Sequence, residues 1–207
     1  MNLTTKALLT TACIVVCLTG GAVSQATWNE SSWLSITPTK NLTWIPCYDG
    51  GLECGRLQVP LNYADPEGQS AAIALVRMKA NISADSTDYL GPILFNPGGP
   101  GGSGVDYIVT AGTKLRGIVG PQFDLVGFDP RGVSRSTPRV TIFETPEEVA
   151  SWQRPGFWEL NSSLQDDVGS YWARAKIIAQ LAEERHGDFL PYINTDHTAR
   201  DMLRIEE

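Results

Sequence analysis

A chain of 207 residues, 42% hydrophobic and 19% charged, suffices for one domain with a sizeable core or for part of a larger one. Sixteen Lys and Arg against 23 Asp and Glu give a net charge of −7, with no basic patch. That balance excludes nucleic acid as a partner, because phosphate recognition needs clustered cations to replace counterions.

The chain opens on a targeting segment. Lys6 supplies a positive start, Ala7 to Val23 is uncharged and mostly apolar, and Ser24-Gln25-Ala26 sets small residues where a signal peptidase reads. Thr and Gly interrupt the run, which is short for a membrane span of about 20 residues. Residues 1–26 are therefore expected to be a signal peptide, with the protein secreted and without stable membrane association. Of four cysteines, Cys13 and Cys17 fall in the leader. Cys47 and Cys54 remain, flanking Tyr48, Asp49, Gly50 and Gly51, and in an oxidising compartment they read as one local disulfide closing a turn. A metal site would need more ligands nearby, and His186 and His197 lie far along the chain, so no metal is expected. Sequons at Asn29, Asn41, Asn81 and Asn161 add N-glycosylation to the secreted reading.

Residues 27–45, rich in Ser, Thr and Trp, read as an irregular arm that packs Trp33 and Trp44 on the body. Leu57, Val59 and Leu61 alternate with Gln58 and Pro60, which predicts a first strand ending near Pro60. Asp65-Pro66-Glu67-Gly68 is a turn signal. Ala71 to Lys79 follows as a second strand with Ile73, Leu75 and Arg77 on one face, completing an antiparallel hairpin. A polar loop over 81–88 leads to the short apolar strand Ile93–Phe95. Val105 to Val119 then reads as a helix, weakened by Gly112 and Gly117, whose inward face is Ile108, Leu115 and Val119. Phe123 to Phe128 is another strand, so a β-loop-α-β unit with parallel strands spans Ile93 to Phe128 and sets the class as α/β.

Residues 140–160 show no clear period. A long helix is predicted from about Leu164 to Arg185, with Ser163 and Asp166 as a capping box and Gly187 as its stop. Its inward stripe would be Leu164, Val168, Tyr171, Ala175, Ile178 and Ala182, with the nearby aromatic side chains in the core. Thr195 or Asp196 would cap a last helix with an apolar face of Ala199, Met202, Leu203 and Ile205. No stop signal precedes Glu206-Glu207, so residue 207 is expected to be an artificial or premature end.

The chemistry gathers at Gly98 to Gly104, where five of seven residues are glycine. A strand feeding such a loop at a helix start aims backbone N–H groups at a negative charge. Gly99 to Gly104 satisfies G-x-G-x-x-G, and Asp129 lies where a ribose-binding acid belongs. Against a dinucleotide, the loop follows the third expected strand, Pro100 lacks an N–H, and a secreted protein meets little dinucleotide. The other chemistry is acyl transfer, in which preorganised N–H groups stabilise the oxyanion. Gly99 would then be the donor, Gly98 and Gly101 would let the backbone approach the substrate, and Pro100 would shape the loop. No cofactor is needed.

Four blocks carry a family resemblance: Trp44 to Tyr63, Asn96 to Gly104, Phe123 to Ser136 and Asn194 to Met202. In this order they resemble secreted tripeptidyl-aminopeptidase-like α/β-hydrolases of the prolyl aminopeptidase group of serine peptidases. The resemblance spans about 44–207. It implies the N-terminal portion of an α/β-hydrolase fold: a mostly parallel sheet with an N-terminal antiparallel hairpin, helices on both faces, and the third strand between the fourth and fifth. It further implies a Ser-Asp-His triad and release of short peptides or residues from free N-termini, with an ester as the other substrate class.

The triad is not found. Gly101 to Val105 and Gly132 to Ser136 both fail G-x-S-x-G at the last position, and Pro138 denies the second its helix. Ser103 and Ser134 read as solvated loop serines, His186 as a helix C-terminal cation, and His197 as a first-turn residue. Asp129 and Arg131 resemble the family's brace after its strand. The expectation is therefore an N-terminal fragment, 27–207, ending before the nucleophile elbow, which carries the oxyanion loop and is inactive and poorly soluble alone. A non-catalytic secreted binding or structural fragment is the alternative.

Overall fold

In the computed structural model the described residues are 28–152 and 165–207. Five strands form one sheet: β1 Ile45–Cys47, β2 Leu52–Pro60, β3 Ser70–Met78, β4 Gly91–Phe95 and β5 Phe123–Asp129, ordered β1-β2-β3-β5-β4. The helices are α1 Glu30–Ser35, α2 Gly104–Val119, α3 Pro146–Trp152, α4 Gln165–His186 and α5 Thr195–Glu206, with a 3-10 turn at Leu190–Tyr192.

The hairpin forms as its alternation predicts, with Leu57 opposite Ile73 and Val59 opposite Ala71. The sheet as a whole departs from the expected mostly parallel arrangement. It is mixed: among the described strands β4–β5 is the one adjacent pair that is parallel, while β1–β2, β2–β3 and β3–β5 run antiparallel. A helical crossover, α2, joins β4 to β5 and makes that pair parallel. The loop from β3 to β4 instead leaves β3 antiparallel to β5. Strand β4 pairs with β5 alone among the described residues.

Alternating residues split the core between two faces. Cys54, Ala74, Val76 and Leu125 join Val105 and Ile108 of α2, with Leu115 and Val119 at the margin, as the predicted helix face requires. Leu57, Val59, Ile73, Leu75, Val126 and Phe128 form the other face, against which Met202 and Ile205 of α5 pack. Helix α2 can lie directly on the sheet because a Cβ on Gly104 would collide with the Phe128 carbonyl, and one on Gly127 with the Gly104 carbonyl.

Four expectations are corrected. The arm contains α1, capped by Asn29 through its side chain and Ser32 N–H, with Trp33 only 2% exposed and donating Nε1–H to Tyr48 Oη at 2.9 Å. The first strand of the hairpin begins at Leu52 and is preceded by β1, so the glycine loop follows the fourth strand. Helix α4 forms close to its predicted span, but no described residue on it is buried: Val168 is 62% exposed, Tyr171 41% and Trp172 66%. Leu164 and the Ser163 cap lie outside the described residues. Helix α5 is capped by Asn194, and Ala199 and Leu203 face outward while Asp201 is buried. The disulfide forms as expected between Cys47 and Cys54, joining β1 to β2.

Candidate functional site

The glycine loop leaves the C-terminal end of β4 and enters α2. Three ties fix its course. Asn96 Oδ1 accepts the Gly98 N–H at 3.1 Å, and Gly98 O accepts the Gly102 N–H at 2.9 Å. At the exit, Ser103 caps α2 by accepting the Asp106 N–H at 3.0 Å. Gly98 and Gly101 hold φ of 77° and 88°, left-handed values that a side chain resists, and the Gly99–Pro100 peptide is cis. A Cβ at Gly98 or Gly101 would meet nothing within 4 Å. Glycine is required there by the backbone conformation, and the space in front of both stays open. Among the described residues, the N–H groups of Gly99 and Gly101 donate to no protein acceptor. Pro100 between them has none to give. The arrangement presents two unengaged donors on an exposed loop at a helix N-terminus, which suits a developing negative charge.

Asp129, at the end of β5, is fully buried beneath this loop. Its Oδ1 accepts Ser103 Oγ–H at 2.5 Å and the Val105 N–H at 3.2 Å, and its Oδ2 accepts the Arg135 N–H at 3.1 Å. Arg135 spans the two loops at this sheet edge: its guanidinium donates to Ser103 Oγ at 3.2 Å, to Ser134 Oγ at 3.1 Å and to Asp106 at 2.7 Å. Those carboxylates hold the Arg135 guanidinium above its usual value against the opposing pull of its burial. Both carboxylate oxygens of Asp129 are thus committed inside the protein. It cannot serve a ribose, and the dinucleotide reading loses its acid. Ser103, expected as a solvated loop serine, is instead the helix cap and the partner of Asp129.

Ser134 sits at φ 45° in the turn after β5, where it accepts from Arg135. Neither histidine contacts a serine hydroxyl among the described residues. His186 Nε2 accepts the Thr141 N–H at 3.0 Å, with its ring edge-on to Phe189. His197 lies between the rings of Tyr63 and Tyr192, its Nδ1 3.0 Å from Asn194 Oδ1. Burial lowers the His197 pKa, and the Arg131 charge adds to the shift. Arg131 itself runs under the sheet edge rather than bracing its own turn alone. It forms a two-pronged pair with Asp201 of α5 at 2.6 and 2.7 Å, and donates to the carbonyls of Pro60, Leu61 and Tyr192. Tyr63 Oη donates to the same carboxylate at 2.8 Å, and burial together with that negative charge pushes its phenol upward.

Sequence reasoning missed Arg135 and Asn96 as parts of this site. Ser103 followed by Asp106 three residues on was a legible N-cap pattern; Arg135 had no local signal. Asn29, Asn41 and Asn81 are exposed, whereas Asn161 lies outside the described residues. A cleft of about 570 Å³ between Trp44, Tyr89, Leu94 and Arg204 contains none of the loop glycines. Among the described residues no group of three His, Cys, Asp or Glu could hold a metal, and no helix is long and apolar enough to cross a membrane.

No protein-family profile matches the chain. Curated relatives do. The chain is 31% identical over 177 residues to the serine protease Hip1 of Mycobacterium tuberculosis, a match covering 78% of this chain and 31% of that protein. It is 33% identical over 156 residues to the tripeptidyl aminopeptidase of Streptomyces coelicolor, covering 73% and 27%. Carboxylesterase B of Mycobacterium tuberculosis is 34% identical over 156 residues, covering 74% and 28%. The chain thus spans about three-tenths of the length of these relatives. Together they support a serine hydrolase family of peptidase or esterase type.

Proposed function

We propose that this chain is the N-terminal part of a secreted serine hydrolase with the α/β-hydrolase fold, and that its contribution to catalysis is the oxyanion loop. The observation that carries the reading is the pair of N–H groups at Gly99 and Gly101, unengaged among the described residues, on the exposed loop between β4 and α2. An ester or amide carbonyl becomes an oxyanion when a serine attacks it, and donors fixed in advance lower that barrier. Gly99 N–H is the donor in this reading, with Gly98, Pro100 and Gly101 setting its direction. The second donor and the Ser-Asp-His triad come from sequence outside these 207 residues, consistent with a serine hydroxyl at 103 that is already committed to Asp129.

The strand order supports the fold. Taking β2 and β3 as the hairpin, β5 lies beside β3 and β4 lies outside β5. In this reading the loop-bearing strand is the neighbour of the strand from which the nucleophile would project. The names of the relatives support two substrate classes, peptides cleaved from a free N-terminus and carboxylic esters, and the first accords with the blocks of the sequence described above. The residues 1–26 act as signal peptide in this reading, and the disulfide and the exposed sequons at Asn29, Asn41 and Asn81 suit a secreted glycoprotein. No metal or cofactor is required by the mechanism.

The test is to label the native protein with a fluorophosphonate and measure its deglycosylated mass. The expected result is a mass above the 22.5 kDa of this sequence and one labelled serine outside it. A mass no greater than that with no label, or a label on Ser103 or Ser134, overturns the reading.

A further inference from the structure

We propose that Asp129 is a positioning residue for the proposed oxyanion loop and acts on it through Ser103. The inference rests on the hydrolase reading and adds what sets the aim of the donors. The loop has two ends, and they are held differently. At its entry the tie is local and exposed, with the Asn96 side-chain Oδ1 accepting the N–H of Gly98 two residues on. At its exit the tie is long-range and buried. Asp129 is 0% exposed, its Oδ1 takes both the Ser103 hydroxyl and the Val105 N–H, and Arg135 closes the group from the neighbouring loop at 3.6 Å. A hydroxyl bonded to a buried carboxylate at 2.5 Å is a strong, directional contact.

Ser103 Oγ receives the Asp106 N–H as helix cap while its own proton goes to Asp129. The point at which loop becomes helix is therefore fixed to the end of β5. Between that point and Asn96 the only internal tie among the described residues is Gly102 N–H to Gly98 O, and the glycines have no side chains to pack. Releasing the exit leaves Gly99 and Gly101 free to reorient. A donor displaced by about 1 Å loses about a hundredfold in rate, since the oxyanion must meet it in line.

The variants are Ser103→Ala and Asp129→Asn in the native protein, assayed on a peptide and an ester with a peptidyl boronic acid as the tetrahedral probe. Both should lower kcat by about tenfold to a hundredfold and weaken the boronate by the same factor, with KM within about twofold. Ser103→Ala keeps the test open should Asp129→Asn fail to fold. A Ser103→Ala protein whose kcat stays within twofold overturns the proposal, and so does a fall in kcat without matching loss of boronate affinity. A wild-type protein that takes no fluorophosphonate and cleaves neither substrate refutes the hydrolase reading itself, before any variant is compared.

Discussion

Helices α4 and α5 follow β5 in turn and are held in opposite ways. The longer, α4, has 22 residues and a clear apolar period, yet no described residue on it is buried. Polar and cationic contacts are among those that hold it: Arg174 lies 4.0 Å over the Trp152 ring, Arg185 pairs with Glu144 and Glu148 and donates to the Ile142 carbonyl, and His186 binds Thr141. The shorter, α5, has 12 residues and docks through a carboxylate, Asp201, that is 1% exposed and clasped by Arg131 and Tyr63. An apolar stripe makes burial favourable only where a partner surface exists. A charged residue gets buried only where its partner is already in place. The second condition is the more exacting, and α5 is the helix that meets it.

The sharpest way to break this contrast is Asp201→Ala. It leaves the Arg131 guanidinium buried without its counter-charge and should cost about 3–5 kcal/mol, read as a lower midpoint in chemical denaturation. Replacing Arg131 and Asp201 together by Met and Leu should recover most of that loss, because the pair's own desolvation nearly cancels its attraction. If the double variant is no better than the single one, the hydrogen bonds of Arg131 to Pro60, Leu61 and Tyr192 hold the helix, and the carboxylate is secondary.

A smaller effect is expected from pH, through His197 in the first turn of α5. Its folded pKa lies below the ordinary 6.5, by burial first and then by the Arg131 charge. The unfolded chain therefore takes up a proton that the folded one refuses, so this contribution to stability is present above about pH 7 and is lost as pH falls from about 6.5 through the lower folded pKa. Thermal unfolding followed between pH 7.5 and 5.5 should show the decline in the wild type and a shallower one in His197→Phe. Equal slopes would remove His197 from the docking of α5.

How much of this was legible in the sequence follows from distance along the chain. The hairpin, the β-loop-α-β unit and the glycine loop are each written in contiguous residues, and all three form where their patterns place them. The inward face of α2 was readable too, since Ile108, Leu115 and Val119 recur at helical spacing. Met202 and Ile205 of the predicted face of α5 do pack on the sheet, but the ion pair that anchors the helix was not legible, because Arg131 and Asp201 are 70 residues apart and nothing local marks them as partners. Within the site the same divide appears. The loop glycines announced themselves, whereas the engagement of Ser103 and Arg135 with Asp129 exists only once two loops meet at one edge of the sheet. Helix α4 failed in the other direction: its period specified a helix truly, but period alone says nothing about what covers it.

The smallest expected effect lies there. Val168→Gln, at a side chain of the predicted stripe that is 62% exposed, should change stability by no more than about 0.5 kcal/mol, the range of surface substitutions away from packed features. Glutamine has a higher helix propensity than valine, so a loss would report lost contact and not a weakened helix. Amide exchange gives the companion measurement, with α4 protected less than α5 despite its greater length. A loss of about 1–2 kcal/mol there would mean that the face is covered in solution, and the contrast between the two helices would then lie in the buried ion pair that α5 has and α4 lacks.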